Sequence, residues 1–313
     1  METVAVVGAG LMGHGIAQVF ALSGFQVRLT DIKADILNTA IGNIRKNLSL
    51  LADHEIIGKD AIEPAVARVS TTTSMTEAAQ DAGVVIEAVI ENLALKQNVF
   101  EQLDKACPQD TILASNTSVI SITEIAANTV HKERVVGTHF WNPPYLIPLV
   151  EVVRGDQTAD ATMQRTVNLL SDVGKHPVRV NKDVPGFVGN RLQHALWREA
   201  ISIVEQGIAD AATVDECVKY GFGLRLPILG PMENADLVGT DLTLAIHDYI
   251  LKHLEHSPSP SPLLKAIVDK GDLGFKSGRG FKAWTPDEVA ESHRRLKAYL
   301  LDVTAESKTV KEN

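Results

Sequence analysis

The feature that most constrains this chain lies in its first thirty residues. An apolar run, Thr3–Val7, leads directly into Gly8-Ala9-Gly10-Leu11-Met12-Gly13, and a helical pattern, Leu11–Leu22, opens inside that loop. The three glycines do mechanical work, allowing a tight turn, close backbone approach to a pyrophosphate, and close packing of helix on strand. The helix start at Leu11 and Met12 offers free N–H groups and a partial positive charge to an anion. A second β-rich run, Gln26–Thr30, ends at Asp31, 18 residues after Gly13. A carboxylate there accepts both ribose hydroxyls of a dinucleotide and repels a 2′-phosphate, which points to NAD rather than NADP. A plainer reading stays open, in which the glycines serve only a tight turn and Asp31 only caps the helix near Ala34. His14, just inside the first helix, reads as a packed or surface residue.

The rest of the first half repeats this alternation. Candidate strands are Thr3–Val7, Gln26–Thr30, Arg68–Ser70, Val84–Ala88, Thr111–Ala114 and Arg134–Thr138. Leu149–Val153 and Val178–Val180 follow, with a helix around Ala161–Leu170 between them. The earlier strands are separated by helical stretches such as Leu11–Leu22, Ala34–Leu51 and Leu93–Ala106. Strand cores of nearly continuous apolar residues belong to a sheet covered on both faces. The pattern predicts an α/β fold, a Rossmann-type doubly wound and mostly parallel sheet. Its character changes at Asp183-Val184-Pro185-Gly186. Beyond that point Asn190–Glu205, Val214–Tyr220, Leu237–Leu254, Ser261–Lys270 and Pro286–Leu301 all read as helices, and the tail after Val303 as frayed. The expected division is a dinucleotide-binding domain over 1–184 and an all-helical domain over 185–313. About two domains suit 313 residues.

Composition excludes some partners. A net charge of −9, from 30 Lys and Arg against 39 Asp and Glu, argues against nucleic acid, whose phosphates need a basic face. Thr3–Val27 carries no charged residue, but Gly8, Gly10, Gly13 and Gly15 break it as a membrane span. Two cysteines, Cys107 and Cys217, form no framework or zinc spacing, so a reduced, cytoplasmic setting is expected and no metal.

Arg134–Thr138 and Leu149–Val153 flank the turn formers Asn142-Pro143-Pro144-Tyr145. If the two strands pair antiparallel about residue 145, His139 and Glu151 stand opposite each other, each six residues from the midpoint. Cross-strand neighbours reach direct contact. A carboxylate on one imidazole nitrogen fixes the tautomer and leaves the other nitrogen to take a proton from an alcohol. The plainer alternative is a surface histidine beside a strand-end glutamate. Position favours the first, because strand ends of such a sheet face the ligand crevice.

Several segments together carry a resemblance. Ser115-Asn116-Thr117-Ser118, Thr138-His139-Phe140-Trp141-Asn142-Pro143, Leu149-Val150-Glu151-Val152-Val153 and the run from Lys182 to Arg191 are similar to signature segments of the L-3-hydroxyacyl-CoA dehydrogenase family. Gly230-Pro231 and Lys276-Ser277-Gly278-Arg279-Gly280-Phe281 extend the similarity over nearly the whole chain. The resemblance implies a two-domain NAD enzyme that dimerises through its helical domain. It implies His139 as acid/base, Glu151 as its partner, and Ser118 and Asn190 beside the substrate. It also puts Glu91, Lys96, Asn116, Asn142 and Lys276 on the cofactor side. Taken singly, Ser118 and Asn190 could be helix caps and Lys96 a solvated surface lysine. Two departures bear on substrate. Ile147-Pro148 stands where acyl-CoA members usually carry a lysine, and Leu48–Ile57 has none, where those members tend to be lysine-rich. The segment also resembles members that act on free hydroxy acids such as L-gulonate and carnitine, or on pyridine alcohols. A fold alone does not guarantee chemistry, and a non-catalytic NAD-binding protein is the other class. The joint presence of His139, Glu151, Ser118 and Asn190 favours an enzyme, with a 3-hydroxyacyl-CoA as first expected substrate.

Overall fold

The computed structural model describes residues 3–312. Its first strands are β1 (Thr3–Val7), β2 (Gln26–Thr30), β3 (Val69–Thr72) and β4 (Val84–Glu87). They are followed by β5 (Ile112–Ser115), β6 (Val135–Phe140), β7 (Leu149–Val153) and β8 (His176–Val180). These eight form one sheet in the order β3-β2-β1-β4-β5-β6-β7-β8, parallel throughout except for the β6–β7 pair. The chain order reverses between β1 and β4, the switch point where a doubly wound sheet opens its ligand crevice.

The continuous apolar runs follow from burial on two faces. In β1, Val4 and Val6 join one buried cluster and Ala5 and Val7 the other, and Val84 and Val85 divide the same way in β4. Helices α1 (Leu11–Leu22), α2 (Ala34–Asp53), α3 (Ile62–Ala67), α4 (Met75–Ala79), α5 (Leu93–Ala106), α6 (Ile122–Ile125) and α7 (Asp160–Asp172) alternate with the strands. The observed β3, β5 and β6 begin one residue later than the sequence pattern suggests, and β6 runs on to Phe140. His139 therefore sits within a strand, not just past its end.

Two compact units emerge, one of residues up to Asn190 together with those from Leu296 on, the other Arg191–Arg295. The expected boundary at 184 differs on both counts. Residues 183–190 stay with the sheet because Asp183 accepts bonds from Ser121 Oγ (2.6 Å) and the Thr123 N–H (2.7 Å). The C-terminal stretch returns to the first unit because Leu301 is buried with Leu51, Ile56 and Leu146.

The second unit contains most of α8 (Gly189–Glu205), then α9 (Ala211–Tyr220), α10 (Pro231–Val238), α11 (Thr240–Ile250), α12 (Pro262–Asp269) and the start of α13 (Pro286–Glu312). The expected single helix over 237–254 is divided at Gly239, whose φ of 104° no helix can hold. Beyond Val303, where fraying was expected, α13 continues. No helix among the described residues is long and apolar enough to cross a membrane.

Candidate active site

The glycine loop sits at the switch point because β1 ends against β2 and β4. Gly8 has φ 100°, and a Cβ there would lie 2.6 Å from Ala88 O. A Cβ on Gly13 would lie 1.7 Å from Gly8 O, so α1 can start this close to the strand only with glycine at that position. Gly10 differs: its Cβ direction meets nothing within 4 Å, leaving open space beside the helix N-terminus at Leu11 and Met12. Asp31 does not cap α2, whose N-cap position is Lys33, with no side-chain bond to the helix start. Its Oδ2 accepts the Ala9 N–H at 2.8 Å, fastening the loop to the end of β2. An open backbone cradle at a helix start, with a carboxylate at its rim, fits a dinucleotide. Of the two readings left open for His14, packed or surface, the structure shows the packed one, with Nδ1 2.7 Å from Gly10 O.

On the other side of the switch point the register sets His139 opposite Glu151 in the β6–β7 ladder. Their side chains meet, Nδ1 to Oε2 at 2.8 Å, and both are buried. The other carboxylate oxygen of Glu151 accepts the N–H groups of Val188 (2.9 Å) and Gly189 (3.0 Å). Burial alone would push the Glu151 carboxyl up. The bonds from His139, Gly189 and Val188 outweigh it and hold the group below its ordinary range. A carboxylate at Nδ1 makes that nitrogen the donor and leaves Nε2 as the acceptor. Trp141 and Phe187 flank the imidazole, with ring centroids 5.3 and 5.8 Å away. Trp141 also lies where any side chain at Gly189 would go, 2.5 Å from its Cβ direction.

Ser118 and Asn190 are joined: Asn190 Nδ2 donates to Ser118 O at 3.0 Å. Neither is a cap. Ser121 caps α6, and Asn190 lies inside the first turn of α8. The turn bearing Ser118 hangs on Glu91, whose Oε1 accepts from Thr117 Oγ1 (2.6 Å), Ser118 N–H (3.0 Å) and Val119 N–H (3.2 Å). Asn116 Oδ1 takes the Phe140 N–H at 2.9 Å, tying β5 to the strand of His139.

Lys96 is not solvated. It is buried, and its ammonium meets Glu87 Oε1 at 2.7 Å and Glu91 Oε2 at 3.4 Å. Glu87 is a residue that reasoning from sequence missed. It is wholly buried and holds Ser115 Oγ and the Val89 N–H as well, each at 2.7 Å. Its burial raises the carboxyl despite Lys96 beside it. The one available signal was an acidic residue inside an otherwise apolar strand, Val84-Val85-Ile86-Glu87. Asn142 follows β6 and is exposed. Lys276 is exposed in the second unit, within the turn closed by the Gly274–Arg279 bridge.

A helix-start cradle at the switch point, on a sheet whose neighbouring strands bury a His–Glu couple, defines a dinucleotide-dependent oxidoreductase. The 3-hydroxyacyl-CoA dehydrogenase NAD binding domain matches residues 3–184, and the C-terminal domain of the same name matches 186–284. A 5-formyl-3-hydroxy-2-methylpyridine 4-carboxylate 5-dehydrogenase of Mesorhizobium japonicum is 36% identical over 95% of this chain and 97% of its own. A probable 3-hydroxybutyryl-CoA dehydrogenase of Bacillus subtilis is 41% identical over 90% of this chain and 96% of its own. Among solved structures, the pyridine-carboxylate 5-dehydrogenase, described as an NAD+ dependent dismutase, superposes with a TM-score of 0.88 at 33% identity. That match covers 100% of this chain and 99% of the other. An (S)-3-hydroxybutyryl-CoA dehydrogenase from Ralstonia eutropha gives 0.77 at 36% identity over 91% and 99%. The chain belongs to the 3-hydroxyacyl-CoA dehydrogenase family, and NAD is its cofactor.

Proposed function

We propose that this enzyme interconverts a short 3-hydroxyacyl-CoA, of the 3-hydroxybutyryl type, and its 3-keto form. The observation that carries the reading is the buried His139–Glu151 couple, with Nε2 left as the proton acceptor. His139 takes the hydroxyl proton during oxidation and returns it during reduction. Glu151 holds the ring and offsets the imidazolium charge, and the N–H groups of Val188 and Gly189 keep the carboxylate from turning away. Ser118 and Asn190, locked to each other and to Glu91, border the reacting carbon. The loop at Gly8, Gly10 and Gly13 would hold the pyrophosphate, and Asp31 the adenosine ribose. NAD, when bound, supplies the hydride acceptor. The test is loss of NADH absorbance on mixing with acetoacetyl-CoA; no turnover at saturating NADH would reject the thioester.

A second reading has its own support. The pyridine-carboxylate relative aligns over the whole chain, α13 included, whereas the C-terminal domain match stops at residue 284. With no lysine in Leu48–Ile57, a free hydroxy acid or pyridine alcohol is the alternative substrate. A panel of thioesters, free hydroxy acids and pyridine carboxylates separates the two.

A homodimer through the helical unit is part of the same reading. Among the described residues of 191–295, Ser202 alone is buried, while Tyr220 (78%), Ile228 (80%) and Met232 (74%) are mostly exposed. So much apolar surface suits a second copy. Light scattering should give twice the 33.8 kDa chain mass. Both cysteines are free thiols, which suits a reducing, cytoplasmic setting.

A further inference from the structure

We infer that the last helix, α13, is a working part of the active site, with Leu301 as a positioning residue for the turn that joins the His139 and Glu151 strands. The inference rests on the reading of those two residues as the proton-handling pair, but only in its kinetic consequence.

The turn from Trp141 to Pro148 has little backbone bonding of its own. Leu146 and Ile147 both donate to Pro143 O, at 3.1 and 3.0 Å. Three prolines deny it further donors. It is held from outside instead, by three separate elements. Lys175, just before β8, donates to the carbonyls of Pro144 and Ile147. On α1, Gly15 lets Pro144 come close, since a Cβ there would lie 2.6 Å from the proline ring. The third hold is α13. Leu301 is 2% exposed and Leu146 4%, and they share one buried cluster with Leu51 and Ile56. Tyr145, Leu300 and Ala305 pack against that cluster. Thr304 Oγ1 lies 3.5 Å from Leu146 O, but its proton is already spent on Leu300 O at 2.6 Å, so the apolar contact is what counts.

This hold comes from outside the matched family domain, which ends at residue 284. The turn begins two residues after His139 and ends three before Glu151. A loosened turn shifts Trp141 against the imidazole and re-aims the approach to Nε2. The glycine loop has anchors of its own, Thr30 O on Gly8 and Asp31 on Ala9, and neither lies on α13. Misplacement by about 1 Å can cost on the order of a hundredfold in rate.

The test substitutes Leu301→Ala, which removes the wall behind Leu146, and Leu301→Met, which keeps its volume. Hydrogen exchange in the peptide spanning residues 142–150 should quicken at Leu146 and Ile147 in the alanine variant and return to the wild-type rate with methionine. Turnover of the best substrate should fall about ten- to a hundredfold with alanine, at unchanged NADH affinity, and recover with methionine. Should Leu301→Ala not fold, Leu301→Val is measured in its place for the same pair of readouts. Wild-type exchange and turnover in the folded variant would overturn the inference. So would NADH affinity falling in step with turnover, the mark of general destabilisation. The exchange result does not depend on the substrate, so a wrong assignment of His139 would show as normal activity of its own variant while the turn still loosened.

Discussion

Lys96 Nζ lies 2.7 Å from Glu87 Oε1, with the lysine side chain 1% exposed and the glutamate 0%. Two charges taken out of water this far recover their desolvation cost only through each other and through further bonds. Glu87 has those bonds, from Ser115 and Val89. Lys96→Met would leave Glu87 buried with no countercharge and cost about 3–5 kcal/mol of stability. Adding Glu87→Gln should restore much of that loss, because no lone charge then remains inside. Urea denaturation of the two single variants and the double variant measures the coupling. A Lys96→Met loss within error of zero would show that the pair carries no stability.

His139→Gln removes the proton acceptor while leaving the glycine loop and its Asp31 tie intact. Turnover should fall by about 10²–10⁴. NADH affinity, read by fluorescence titration, should change little. Full turnover on the best substrate would remove His139 from the mechanism.

Much of this site is legible in the sequence. The glycine spacing specifies the turn because only glycine tolerates the backbone at Gly8 and Gly13. The His139–Glu151 register follows from a midpoint between two apolar runs, since a period of two leaves little freedom. The position of Lys96 is not legible. A lysine in a helix pattern reads as a solvated residue, and its burial depends on Glu87 and Glu91, which lie on a strand and in a turn. The return of Leu301 to the sheet unit is hidden for the same reason. Its partners Leu51, Ile56 and Leu146 are more than 150 residues away in sequence, and apolar periodicity says which face is buried but not against what.

Asp31→Ser should act in two ways at once. It removes the carboxylate that would repel a 2′-phosphate, so the preference for NAD over NADP should narrow. It also withdraws the acceptor from the Ala9 N–H, loosening the loop, so affinity for NADH should fall as well. Dissociation constants for NADH and NADPH on both proteins check this. Wild-type efficiency with NADP equal to that with NAD would reject the ribose assignment.

Lys175 should give the protein an alkaline rise in stability. Its Nζ donates to Pro144 O and to Ile147 O, the latter at 3.1 Å, yet burial prevails and lowers the ammonium from 10.5 to about 8. The folded chain therefore releases this proton near pH 8, whereas an unfolded lysine keeps it until near its ordinary value. Between those limits the unfolded state binds more protons, and stability rises with pH wherever that holds. Below about pH 8 both states are protonated, and the cost of burying the charge is present in full and independent of pH. Lys175→Met has no such proton. The difference in unfolding free energy between wild type and variant, followed from pH 7 to 10, should be flat at first and then move in favour of the wild type. A difference that stayed constant across the range would mean that Lys175 keeps its ordinary affinity for the proton in the folded protein.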